Sequence, residues 1–457
     1  LRPRAMLAAC RRGLSLIEVY VRTLGATELR VLATAQGAEL AAIALRYAVQ
    51  RGNARQVLEW SERWRATVLA IPPVRSPEDD GLVADLAALR SLTYRLETSY
   101  DRLGPAPLHR ERRRLESAVR RRVLVTPGTK GDRTDQFRSA ELLNRLGDRS
   151  LVELTDVDDQ LYAMVAARGR VHLELIGPTQ VATHRLSHAL FALRREATGR
   201  GEDRLDLDAI GARLETALLG DVAEHLADGP VVVVPTGRLH AVPWSLLPSL
   251  RRRATSVAPS AAAWLRARSA VPPSTERVVL IGGPQLSTGP EEVRRLSELY
   301  PDAVVLTEGD ATAAAVLEAM DGASLVHVAA HGTFRADSPL FSALQLDDGP
   351  LTVYDLERLD RAPHRVVLSS CSSALGGPSG ADELLGLVSA LVALGSSGVV
   401  ASVVPVNDPA TVPLMLGLHG RLRAGDDLAQ ALARARVSAG DDRAARTAGQ
   451  SFIALGA

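Results

Sequence analysis

Along the first 125 or so residues, apolar side chains return every three or four positions among Ala, Leu and Arg, and Val/Ile-rich runs are lacking. That period belongs to amphipathic helices, so residues 1–125 are expected to be all-α. The clearest unit runs from Ala38 to Ala66, where two helical stretches flank the turn Arg51-Gly52-Asn53 and Ala41, Ala42, Ala44 and Ala48 allow close helix approach. The stretch His109 to Arg122 is crowded with Arg, but Leu115, Val119 and Val123 give it an apolar stripe, which favours a solvated helix face over a binding patch. Residues 126–135 are turn formers without periodicity, and 126–149 reads as a linker.

From residue 150 the pattern changes. Leu151 to Leu154, Gln160 to Ala167 and Arg170 to Ile176 read as a strand meander turning at Asp156 to Asp159 and at Arg168-Gly169. Helices are expected over Val181 to Thr198 and Leu207 to Ala227. After Pro230, short Val/Ile-rich strands (Val231 to Val234, Val278 to Ile281, Ala303 to Leu306, Ser324 to Ala329, Arg365 to Ser370, Gly398 to Ser402) alternate with helices (Glu291 to Leu299, Ala311 to Met320, Ala381 to Leu394, Ala410 to Leu422). Strands apolar from end to end and separated by helices predict an α/β fold with a mostly parallel sheet flanked by helices. The expected division is therefore 1–125 helical, 126–149 linker and 150–457 α/β, the last split into a meander with helices (150–229) and a repeating α/β part (230–457).

Composition narrows this picture by exclusion. The chain has 457 residues, 46% of them hydrophobic, enough for sizeable cores in two or three domains. Fifty-four basic residues, almost all Arg, face 53 acidic ones, so overall charge implies no nucleic-acid partner. No apolar run reaches membrane-spanning length, and no signal-peptide core opens the chain, so a soluble cytoplasmic protein is expected; Leu1 without Met reads as a trimmed start. Cys10 and Cys371 are the only cysteines, too few for a disulfide framework or a structural zinc site, and no metal or cofactor is expected. Phosphate-binding glycine loops are missing, and the Gly-x-Ser-x-Gly spacing is missed around Ser379.

Two predicted strands stop on reactive side chains: Leu325-Val-His-Val-Ala-Ala-His-Gly332 delivers His331, and Val366-Val-Leu-Ser-Ser-Cys-Ser-Ser373 delivers Cys371. In open parallel sheets the active groups lie beyond the carboxyl ends of strands. A thiol attacks as thiolate, and a neighbouring imidazole removes its proton, so Cys371 is the candidate nucleophile and His331 the candidate base. Gly332 leaves its backbone N–H unobstructed, and that N–H with the N–H of Cys371 is the candidate oxyanion hole. Spacing alone equally allows an inert core Cys and a satisfied strand His. His327 reads as a core histidine, and Asp382 and Glu383 as helix-start acids.

The segments Val326 to Gly332, Ser338-Pro339-Leu340, Val366 to Ser373, Gly380 to Gly386, Gly398 to Asp408 and Ser451 to Gly456 resemble, in order, the motifs of the CHAT family of caspase-like proteins. Pro235 to His240 with Val242-Pro243-Trp244 resembles the family's preceding strand and turn. The resemblance covers about 150–457. It implies a caspase-like fold related to caspases and separases, and a cysteine endopeptidase using His331 and Cys371. Members often carry tetratricopeptide-like helices upstream, which Ala38 to Ala66 resembles; a generic helical domain fits that stretch equally well. Ser372 stands where the family usually has an acidic or amide side chain, and Val404 where a Trp is expected, which puts substrate preference in doubt. Asp408 falls where related separases place an acid that receives a basic P1 side chain; Asp408-Pro409 is also an ordinary helix start. The resemblance further implies a regulated protease, a role in bacterial defence, a protein substrate of the gasdermin kind, and a protein regulator received by the N-terminal helices. The competing reading is a catalytically silent caspase-like scaffold or peptide-binding adaptor; a nucleic-acid adaptor using 109–122 is third.

Overall fold

The computed structural model describes residues 3–69, 79–98, 105–125, 137–199, 205–333, 335, 338–369, 383–406, 408–438 and 442–457. Its N-terminal part is helical throughout: Pro3–Thr23, Thr27–Ala35, Ala38–Gln50, Ala54–Leu69, Asp80–Thr98 and Pro105–Leu124. The pair Ala38–Gln50 and Ala54–Leu69 forms the expected hairpin, and Gly52 takes the left-handed conformation (φ 62°) that reverses the chain between them. Ala41, Ala44 and Ala48 are buried, so small side chains do bring these helices together.

The strands are β1 (Ser150–Val157), β2 (Gln160–Ala167), β3 (Arg170–Pro178), β4 (Val231–Val234), β5 (Thr255–Val257), β6 (Val278–Gly282), β7 (Val304–Leu306), β8 (Leu325–Ala329), β9 (Gly332–Thr333), β10 (Ala343–Leu346), β11 (Gly349–Thr352), β12 (Arg365–Leu368), β13 (Gly398–Ser402) and β14 (Phe452–Gly456). Eleven of them form one sheet in the order β3-β2-β1-β4-β5-β14-β13-β12-β8-β6-β7, and β9, β10 and β11 form a small second sheet. In the large sheet only β1–β2, β2–β3 and β13–β14 pair antiparallel. The fold is thus α/β, with a mostly parallel sheet between helices and an all-helical N-terminal region. The antiparallel β13–β14 contact divides the sheet into two parallel blocks that run in opposite directions.

Alternation along β8 shows why its strands had to be apolar throughout. Val326 and Val328 point into the core on one face, while Leu325 and Ala329 join clusters on the other, so every position is buried. Each such Val or Leu stabilises the fold by about 1.5–3 kcal/mol through burial.

Several expectations need correction. The helix read over 207–227 ends at Leu218; Gly220, with φ 50°, breaks it, and a short 3-10 turn follows over Gly220–His225. The segment read as linker contains the helix Ser139–Leu146, held by buried Leu142 and Leu146, while 126–136 lies outside the described residues. The first meander turn is Asp158-Asp159 alone, both at positive φ, because β1 continues through Asp156 to Val157. Strands β5, β9, β10, β11 and β14 were not anticipated: most span four residues or fewer, too short for a period to register. Strand β14 is an apolar run that periodicity does not separate from helix.

The N-terminal helices do not stand apart from the sheet. Leu7, Leu14, Val57 and Trp60 share one core with Leu151, Met164, Val232 and Val234.

Candidate functional site

Strands β8 and β12 are direct neighbours, parallel and in register, with Leu368 opposite Val328. The Ser369 N–H continues the ladder by donating to the Val328 carbonyl at 3.1 Å. His331 follows Val328 by three residues, beyond the carboxyl end of β8. Cys371, with Ser370, Ser372, Ser373 and Asp382, lies outside the described residues.

His331 itself is well defined by its surroundings. It follows the fully buried Ala330 and is partly exposed, and its Nε2 lies 3.1 Å from the Gln285 carbonyl oxygen. A carbonyl only accepts, so Nε2 carries the proton. With the Nε2 proton committed there, Nδ1 is the ring atom left to act as base. That atom is shielded from solvent and has no hydrogen-bond partner among the described residues.

Gln285 sits in the loop between β6 and the helix Gly289–Leu299, in the left-handed conformation (φ 62°) that side-chain-bearing residues seldom adopt. The loop is held at its start by Gly283, whose N–H donates to the Ala329 carbonyl at 2.8 Å, and at its end by buried Leu286. Sequence reasoning missed Gln285, because the functional group is its backbone carbonyl and any residue carries one.

Gly332 opens β9. The Gln345 N–H donates to the His331 carbonyl at 2.8 Å, and Gly332 faces Leu344. Antiparallel pairs alternate between bonded and non-bonded positions, so the Gly332 N–H is directed away from β10. Among the described residues, a Cβ added at Gly332 would meet nothing within 4 Å, so their packing does not demand a glycine there.

Helix Asp408–Arg423 begins at Asp408, a few residues beyond the end of β13, which fits the reading of Asp408-Pro409 as a helix start; the Asp408 side chain is not described. Val404, where a Trp was expected, is buried in the main core. The helix that follows the cysteine segment is described from Glu383.

His327 is fully buried, as the sequence predicted for a core histidine, but it belongs to a connected polar chain. Its Nε2 lies 2.8 Å from Glu292 Oε1 and its Nδ1 3.0 Å from His419 Nε2; His419 Nδ1 lies 3.2 Å from the Tyr300 hydroxyl. Burial first, and then the neighbouring His327, hold the His419 pKa well below the ordinary value, so its ring is neutral. Among the described residues no group of His, Cys, Asp and Glu is arranged to hold a metal ion.

The CHAT domain family matches residues 208–449, more than half of the chain and both candidate catalytic positions. The chain belongs to the CHAT family. It is therefore a member of a caspase-like cysteine peptidase family. Two solved structures of the Saccharomyces cerevisiae separase–securin complex share the fold. One matches with a TM-score of 0.53 at 10% identity over 100% of this chain and 37% of that chain; the other gives 0.51 at 11% over 93% and 37%. This CHAT protein thus spans little more than a third of those chains, and at such identity the likeness concerns the fold alone. No curated protein sequence matches it. Among the described residues, no helix is long and apolar enough to cross a membrane.

Proposed function

We propose that this CHAT protein is a regulated cysteine endopeptidase with Cys371 as nucleophile and His331 as general base. The observation that supports this most is the state of His331. Its Nε2–H is committed to the Gln285 carbonyl, and its Nδ1 lone pair is shielded and unpartnered among the described residues. A shielded acceptor calls for a donor, and the thiol of Cys371, three residues on in sequence from Leu368 at the end of the adjacent strand, is the donor of the right chemistry.

In this reading Nδ1 takes the thiol proton and the thiolate attacks the scissile carbonyl carbon. The new C–S bond displaces the carbonyl π pair onto oxygen, where the N–H groups of Gly332 and Cys371 stabilise it, each by about 3 kcal/mol. Collapse of this intermediate breaks the C–N bond, and the leaving amine takes the proton from His331. Water, deprotonated by His331, then hydrolyses the thioester, releasing the acid and restoring the thiol. Throughout, the Gln285 carbonyl fixes the tautomer and steadies the imidazolium.

Asp408 is proposed to receive a basic P1 side chain, and the helices of 1–125 to dock a protein regulator or substrate beside a peptidase domain over 150–457. A protein substrate of the gasdermin type and a cytoplasmic site of action complete the proposal. The test is a comparison of newly formed protein N-termini in cells carrying the wild type and Cys371→Ala. New termini after Arg or Lys are expected in the wild type alone, and their loss in His331→Ala. Termini that persist in Cys371→Ala would overturn the assignment.

A further inference from the structure

We infer that the buried chain Glu292–His327–His419–Tyr300 is a positioning device for His331, locking β8 to the helix whose leading loop presents the Gln285 carbonyl. The inference rests on the peptidase reading above.

Each link in the chain brings two polar atoms within hydrogen-bond distance, so none is left buried without a partner. Glu292 Oε1 accepts from His327 Nε2–H, His327 Nδ1 meets His419 Nε2, and His419 Nδ1 meets the Tyr300 hydroxyl, which donates to the His419 carbonyl at 3.4 Å. All members except Tyr300 are essentially excluded from water. Apolar residues could have filled this volume without the cost of burying a carboxylate. What a satisfied polar chain adds is one fixed register between the elements it joins.

Those elements all lead to the site. His327 lies on β8, four residues before His331. Glu292 lies in the first turn of the helix Gly289–Leu299, seven residues after Gln285, and His419 lies in the helix that starts at Asp408. Gln285 is held in a left-handed conformation that its own type does not favour, so its carbonyl keeps its aim only while both ends of the loop are fixed. Gly283 fixes the β6 end against Ala329, and Glu292 fixes the helix end against His327. Without the second anchor the loop loses its register to β8, the Gln285 carbonyl leaves Nε2, and the imidazole is free to turn its proton-bearing nitrogen toward the thiol. Glu292, His327 and His419 are thus positioning residues, acting through Gln285.

The test measures alkylation of Cys371 by iodoacetamide in the full chain against pH, read by mass spectrometry of the Cys371 peptide. In the wild type, reactivity is expected well below the range of an ordinary thiol. In His331→Ala the profile is expected to move toward about pH 8.5, that of a free cysteine. Glu292→Leu is expected to move it the same way. Glu292→Gln, whose amide oxygen still accepts from His327, is expected to restore most of the wild-type profile. Leu418→Ala, a buried change beside His419, is expected to lower the melting temperature without moving the profile. If Glu292→Leu does not fold, His419→Leu breaks the chain from its other end and carries the same test. A wild-type profile in folded Glu292→Leu or His419→Leu, with His331→Ala shifted, overturns this inference alone. An unshifted profile in His331→Ala overturns the peptidase reading beneath it.

Discussion

Two glycines near the site answer opposite demands. At Gly283 an added Cβ would stand 2.5 Å from the Gln345 carbonyl oxygen and 2.6 Å from Ala330 Cβ, whereas at Gly332 it would meet nothing within 4 Å among the described residues. Gly283→Ala is therefore expected to cost about 1–3 kcal/mol through overpacking and to displace the loop that carries Gln285, so stability and Cys371 reactivity fall together. Gly332→Ala is expected to hold stability within about 0.5 kcal/mol while peptide cleavage falls, because the methyl group intrudes on the open face beside the proposed oxyanion hole. Thermal unfolding and a cleavage assay on the same preparations separate the two; unchanged cleavage in Gly332→Ala would remove Gly332 from the site. His331, Cys371 and Gly332 stood out as candidates in the sequence because reactive types follow apolar strands. Gln285 did not, since neither a backbone carbonyl nor a left-handed φ at a glutamine leaves a mark in the sequence.

Among the elements, the helix Ala54–Leu69 shows how the helical region is fastened to the sheet. Arg65 donates to the Pro235 carbonyl at 2.5 Å and the Leu154 carbonyl at 2.6 Å, and its Nε lies 3.4 Å from Glu153 Oε1. Glu62, fully buried, accepts from the Ala261 and Ala262 N–H groups at 2.7 and 2.8 Å, the first-turn donors that the helix Ala261–Ser269 cannot pair within itself. Removing one member leaves the others buried and unpaired, so Arg65→Met is expected to cost about 3–5 kcal/mol in chemical denaturation. A cost under about 1 kcal/mol would show that this anchor is not needed. The hairpin itself was readable from its Ala spacing and Gly52. Its anchor was not, because Arg65 and Glu62 meet partners far along the chain, and one amphipathic helix says nothing of what it docks against.

At the scale of the whole molecule, buried ionisable groups set opposing pH dependences. Burial, with Glu62 adding its charge, raises the Glu153 pKa to about 8. Between the unfolded carboxyl value near 4.5 and that pH the folded state holds a proton the unfolded chain has lost, so stability falls as pH rises through this window. Burial, followed by the charge of Arg65, lowers His240 to about 4, and His419 is lowered in the same direction. For these two the unfolded chain binds the extra protons, so stability falls as pH drops below 6.5. Glu153→Gln is expected to remove much of the loss between pH 6 and pH 8, measured by the unfolding midpoint; an unchanged slope would exclude Glu153 as its source. The sequence by itself determined the fold class, the helical start and the strands β8 and β12, and it proposed the pair His331 and Cys371, because local period and residue type are properties of contiguous chain. Only the tertiary structure decided the junction of two opposed parallel blocks through β14, the shared core beneath the N-terminal helices, the Gln285 carbonyl on His331 and the chain behind His327. Each of these is a contact between residues distant in sequence, and which distant surfaces meet is settled by packing, not by period.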